Sequence, residues 1–187
     1  AASNTGFPKL LAEILRREIR DLRLLCKIRL RVYINCNLHD LYDLLALFQL
    51  IFRSCNLMIA VLLERDTQDC VIEALNMLYA TMGAATFRKL CGVILTDRGM
   101  EFRNVYGIEH SENGKLRTQV FYCDPYCSWQ KGSGEKNHEF IREVLPKKTS
   151  FDWLTQDAVD LMMSHINSYP RARLNDKSPF EVAEFLL

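Results

Sequence analysis

Apolar positions along the chain switch between two spacings, and the switches mark the elements. Arg31–Asn35 is a short β-rich piece, and Leu44–Phe52 and Asn56–Leu63 are apolar runs of strand length separated by Arg53-Ser54-Cys55. Uninterrupted runs of that length indicate strands buried on both faces. Three neighbouring candidates of this kind predict an antiparallel meander. The period then changes: Cys70, Val71, Ala74, Leu75 and Leu78 recur at helical spacing within Thr67–Met82, and Gly83 stops that helix. Gly92–Thr96 is a fourth, wholly apolar strand running into Asp97, and Thr118–Cys123 is a fifth, ending at Asp124-Pro125. Helices follow over roughly Gly134–Leu145, stopped by Pro146, and over Thr155–Ser168, capped by Thr155 and ended before Pro170. The tail Ser178–Leu187 opens on Ser-Pro-Phe-Glu, a helix-start signature. The order βββ-α-β-β-α-α predicts an α/β fold with a mixed sheet.

Composition supports one folded core. The 187 residues are 49% hydrophobic and 25% charged, with Gly 8 and Pro 5, which excludes collagen-like, low-complexity and disordered classes. The richest apolar stretch, Leu41–Ile51, carries Asp43 and Gln49 and is closed by Arg53, too short for a bilayer. Ala1–Lys9 lacks the basic end and apolar run of a signal peptide. The seven cysteines are odd in number, form no Cys-x-x-Cys and sit in apolar runs, as small buried hydrophobes of a reducing cytosol do. Cys123 and Cys127 with His138 and His165 match a zinc template only loosely.

The formal charge of +1 hides a layout. Residues 1–31 hold eight Lys and Arg against three Asp and Glu, a surplus of five, so the rest of the chain carries −4. Leu11, Ile14, Leu15, Ile19, Leu22 and Leu25 recur in that segment at helical spacing, so 1–31 reads as a basic helical segment ahead of a domain over 32–187. A packed helix with a solvated basic face is the plain reading; a phosphate-contacting arm is the sharper one.

Chemistry is sought at strand ends, where open α/β sheets gather their ligand sites. Asp97 follows the apolar strand, with Gly99 and Glu101 behind it. Glu135 stands in Gln130-Lys131-Gly132-Ser133-Gly134-Glu135-Lys136-Asn137, where a Gly-punctuated loop opens a helix. Alone, Asp97 reads as an N-cap and Glu135 as an acid favoured by the helix dipole.

Together they carry more. Thr-Asp-x-Gly-x-Glu-Phe after a strand, then Tyr-Cys-Asp-Pro-Tyr, then Trp-Gln-Lys-Gly-x-x-Glu-Lys-Asn resembles the DDE integrase core of bacterial insertion-sequence transposases, in particular the "IS-thirty" type. The resemblance runs from about Leu44 to the C-terminus, including Asp160-Leu-Met-Met-Ser-His-Ile-Asn-Ser-Tyr-Pro-Arg, and residues 1–43 match poorly, as in a truncated or degenerate copy. It implies a ribonuclease-H-like fold, a mixed five-stranded sheet flanked by helices. It implies a DDE-type polynucleotidyl transferase of the bacterial cytoplasm and nucleoid, with transposon-end and target DNA as partners, a homo-oligomer when active, and no membrane. At this length the chain has room for that catalytic core and little else, without the DNA-recognition domain expected of a complete member.

The implied reaction is two-metal phosphoryl transfer, with Mg²⁺ (or Mn²⁺) cutting the transposon end and the freed 3′-hydroxyl attacking target DNA. Hard Mg²⁺ prefers carboxylate oxygen, and two ions about 4 Å apart activate the nucleophile and stabilise the leaving oxygen. By resemblance Asp97 is the second acid and metal ligand and Glu135 the third. The first is open: Asp40 is preferred, Asp43 is the alternative, and counting back without gaps lands at Cys36, a soft ligand poorly suited to Mg²⁺. Arg98 departs from the family's usual Asn. Lys131, Lys136, Asn137 and Arg142 surround Glu135 as candidate DNA contacts, with Gln130, Lys147 and Lys148 extending the surface; Arg142 could instead pair with Glu139 or Glu143. The alternative function is an inactive transposase remnant that folds and binds DNA without cutting it.

Overall fold

A computed structural model describes residues 31–36, 45–124, 132–146, 151 and 153–186. The basic segment 1–31 lies outside them except for Arg31. The predicted strands form at the expected places: β1 Arg31–Cys36, β2 Ala46–Phe52, β3 Leu57–Leu63, β4 Val93–Thr96 and β5 Gln119–Tyr122. They pair in the order β3-β2-β1-β4-β5. The first three are the antiparallel meander, with Ile34 opposite Leu50 and Gln49 opposite Ala60. Strands β1, β4 and β5 run parallel, Tyr33 beside Leu95 and Leu95 beside Phe121. The sheet is therefore mixed, as predicted. Every residue of β2 is buried, which is why its sequence is continuously apolar apart from Gln49.

The long helix α1, Gln68–Met82, buries Val71, Ala74, Leu75, Leu78 and Met82, and Thr67 caps it by accepting the Cys70 N–H at 3.3 Å. Gly83 ends it at φ +79°, where a side chain would be strained. The chain does not leave helix for long: α2, Ala84–Leu90, starts at once and buries Phe87 and Leu90. Helix α3, Val105–Glu109, follows a 3-10 turn at Met100–Phe102. The apolar pattern predicts neither short helix, because Gly83 reads as a terminus and five residues are too few for a periodic signal. Helix α4, Gly132–Val144, α5, Gln156–Ser168, and α6, Pro179–Leu186, match the three predicted ones.

Strand β3 ends the sheet, and such an edge exposes unpaired backbone groups. Helix α5 covers it with side chains acting as backbone surrogates. Asn167 Oδ1 accepts the Met58 N–H at 3.0 Å while its Nδ2 donates to the Met58 carbonyl at 2.7 Å. The same happens at the other end of α5: Gln156 Oε1 accepts the Leu62 N–H at 2.8 Å and its Nε2 donates to the Ala60 carbonyl at 3.1 Å. These clasps set α5 on the sheet, and α4 packs against α5.

Candidate functional site

Strand direction brings the loop starts after β1, β3 and β4 to one end of the sheet. β1, β3 and β4 point the same way, so Cys36, the stretch after Leu63 and Asp97 emerge together. Thr96 Oγ1 donates to the Ile34 carbonyl at 3.3 Å, and the Cys123 N–H donates to the Thr96 carbonyl at 2.8 Å, which fixes the end of β4 between its neighbours. Asp97 is half-buried, and its carboxylate accepts the Gly99 N–H at 3.0 Å. That is an Asx turn rather than the N-cap that Asp97 taken alone suggests; the 3-10 turn starts from Gly99 without a side-chain cap. Gly99 has φ −55°, so it is not there for a left-handed turn. A Cβ at that position would meet the Glu101 carboxylate, which folds back over it. Tyr122 donates its hydroxyl to the Phe102 carbonyl at 2.6 Å and ties this loop to β5; burial pushes its pKa up.

Cys36, at the tip of β1, is buried. Burial raises its thiol pKa most, and the negative charges of Asp66, Glu101 and Asp97, with a hydrogen bond to Asp66, raise it further. A neutral thiol thus sits among three carboxylates. Sequence alone does not single out Asp66: it lies in the polar link from β3 to α1, and nothing local marks it as facing β1.

The remaining expected residues are placed unevenly. Asp40, Asp43, Gln130, Lys131, Lys147 and Lys148 lie outside the described residues. Glu135 and Lys136 belong to the first turns of α4, with only their backbone described. Asn137 is buried and accepts a hydrogen bond from Arg171 Nη1, so it faces the interior rather than open solvent. Arg142 Nε donates to His138 Nε2 at 3.3 Å, one turn back on α4. Arg98 is exposed beside Asp97. Among the described residues no three His, Cys, Asp or Glu side chains are grouped to hold a metal ion. Of the cysteines in the zinc template, Cys123 is buried and Cys127 lies outside the described residues.

Among known proteins, no family model matches the chain. It is 38% identical over 88 residues to the transposase InsI for insertion sequence element IS30A of Escherichia coli (strain K12), covering 47% of this chain and 22% of that protein. It is 32% identical over 95 residues to the transposase for insertion sequence element IS4351 of Bacteroides fragilis, covering 50% and 28%. The chain is a relative of the IS30-type insertion-sequence transposases. It spans about a quarter of the length of those two IS30-type relatives. In structure it resembles a chain of the simian T-cell lymphotropic virus intasome, in complex with the PP2A regulatory subunit B56 gamma, with TM-score 0.62, 16% identity and 81% and 53% of the two chains covered. The fold is thus the ribonuclease-H-like fold of integrases, as the IS30-type motifs implied. No single helix among the described residues is long and apolar enough to cross a membrane.

Proposed function

We propose that the chain serves insertion-sequence transposition as a transposase catalytic-core fold that engages DNA while lacking its first metal-ligating acid. Cys36 carries this reading: a buried thiol stands beside Asp97 at the tip of β1, where a carboxylate is needed. Thiols are soft ligands and Mg²⁺ takes oxygen donors, so Cys36 does not fit the place of a first metal-ligating acid beside Asp97. Asp97 and Glu135 are the remaining second and third acids. Without the first, we expect no DNA-end cleavage and no strand transfer. Relatives named as transposases and an intasome chain of the same fold support DNA as the partner and a homo-oligomer as the working assembly. The basic segment 1–31, ahead of a core over 32–187, adds phosphate contacts, and Lys131, Lys136 and Arg142 flank Glu135. A bacterial cytoplasmic, nucleoid-associated location follows from that role.

The test is a strand-transfer assay with Mg²⁺ or Mn²⁺ alongside a DNA-binding titration across salt. We expect the unaltered chain to bind DNA, with affinity falling as salt rises, and to leave it uncut. Cys36→Asp should gain metal-dependent cleavage that Asp97→Ala removes. Cutting by the unaltered chain that Asp40→Ala or Asp43→Ala abolishes would overturn the reading and make that aspartate the first acid. Neutralising Lys131, Lys136 and Arg142 together should lower the salt slope by roughly 0.9 for each phosphate that is no longer neutralised.

A further inference from the structure

A second polar cluster lies away from Asp97, around the segment that follows α5. Arg171 is 9% exposed, and its guanidinium lies 4.8 Å from the centre of the Phe140 ring. Its Nη1 donates to Asn137 Oδ1 and its Nη2 to the Ile166 carbonyl at 3.3 Å. Its Nε is buried with no partner among the described residues. The same is true of Asn137 Nδ2 and Asn56 Oδ1, in side chains 1% and 6% exposed. Asn56 is held at φ +56° in the β2–β3 turn, an uncommon conformation that fixes where its amide sits. All three residues line one cavity of about 350 Å³, walled also by Phe140, Tyr169 and Pro170, with Arg173 at its rim. Buried polar atoms in native folds are nearly always paired, so three orphans around one cavity point to an occupant. The volume is that of a small-molecule site, roughly 300–1,000 Å³.

The donor set decides what the occupant is. An anion alone would use Arg171 Nε and Asn137 Nδ2 but would be repelled by the Asn56 carbonyl oxygen and gain nothing from the ring walls. A nucleobase edge carries both acceptors and donors, and its face stacks on aromatic rings. Tyr169 is 61% exposed and lies with its ring 6.0 Å from that of Phe140, an open face at the cavity mouth. We propose that this cavity receives a nucleobase unstacked from a DNA strand, read by Arg171, Asn137 and Asn56 and stacked on Tyr169. The inference rests on the DNA-acting function proposed above. It adds a place where a frayed or single-stranded base is held, on the helix that carries Glu135 two residues before Asn137.

The 187-residue chain is titrated with each of the four deoxynucleoside monophosphates, with inorganic phosphate at matched ionic strength, and with duplex DNA that is blunt or carries a short single-stranded overhang. We expect saturable mononucleotide binding that phosphate does not displace, and tighter binding of the overhang duplex than of the blunt one. Tyr169→Ala, at an exposed position, should weaken overhang binding about tenfold, within the range of one lost base stack, and leave blunt-duplex binding unchanged. Asn56→Gly keeps the backbone conformation, removes the acceptor and should lower mononucleotide affinity without unfolding the chain, checked by circular dichroism. Equal displacement by phosphate would overturn the base assignment in favour of a plain anion site. Absence of mononucleotide binding with blunt-duplex binding intact would sink the cavity proposal alone. Absence of all DNA binding would sink the function on which it rests.

Discussion

Asn167 offers the most direct trial of how this fold is held together. Its side chain bonds both the N–H and the carbonyl of Met58, at 3.0 and 2.7 Å. Met58 is fully buried, and α5 covers this part of the β3 edge, so water cannot replace the amide. Asn167→Ala therefore orphans one donor and one acceptor. Each such loss costs about 1–3 kcal/mol, which gives about 3 kcal/mol for the pair after partial relaxation. For a chain of this size, that lowers Tm by roughly 6–12 °C. Asn167→Asp keeps the acceptor but sets a carboxylate oxygen against the Met58 carbonyl, and should cost at least as much. Ser168→Ala is the control: its hydroxyl donates to the Ser164 carbonyl at 2.8 Å on an exposed surface, and the change should stay within about 0.5 kcal/mol. Urea denaturation followed by circular dichroism measures all three. A loss for Asn167→Ala below about 1 kcal/mol, at unchanged slope, would show that β3 does not depend on the clasp.

Other consequences follow from the same geometry. Arg117, fully buried, donates to the carbonyls of Ile108 and Gly107 at 2.9 and 2.8 Å and to Asn76 Oδ1 at 2.5 Å, so Arg117→Met should cost at least about 3 kcal/mol in thermal or urea unfolding. Thr67→Ala and Thr155→Ala each remove a helix N-cap, bonded to Cys70 N and Ala158 N, and should each cost about 1 kcal/mol in the same measurement. Glu181 and Ser178 form a reciprocal cap on α6, with the Ser178 N–H donating to Glu181 Oε2 at 2.7 Å, and these bonds hold the Glu181 carboxyl below its ordinary value of 4.5. Because the folded value is the lower one, the stabilisation is present above pH 4.5 and lost as pH falls through the folded value. The stability difference between the unaltered chain and Glu181→Gln should accordingly shrink on acidification; a difference that grows would contradict the cap.

How much is legible in the sequence follows from the range of the interactions concerned. Apolar periodicity is local, so β2, β3, α1 and α5 are readable to within two residues of their ends. The short helices α2 and α3 are not, since they are ordered by packing of Phe87, Leu90 and Ile108 into the core rather than by a repeating pattern. Asp97 is legible because it ends an apolar strand inside a specific motif. Asp66 is not, and neither is Arg171, whose partners Asn137 and Ile166 lie on two different helices.

The sequence by itself determined the five strands and the longer helices, the mixed α/β class, the cap at Thr155, and the kinship carried by Thr96-Asp97 and Gly132–Asn137. Those features are written in neighbouring residues and in periods of two or of three to four, which a linear chain displays openly. Only the tertiary structure decided which residues meet. Strand pairing set Cys36 beside Asp66, Asp97 and Glu101, although 30 or more positions separate it from each. It also turned Asn137 inward to Arg171 and closed the β3 edge with Asn167, 109 residues away. Such contacts arise because burying apolar strands forces distant polar groups together, and each must then find a partner or shift its charge.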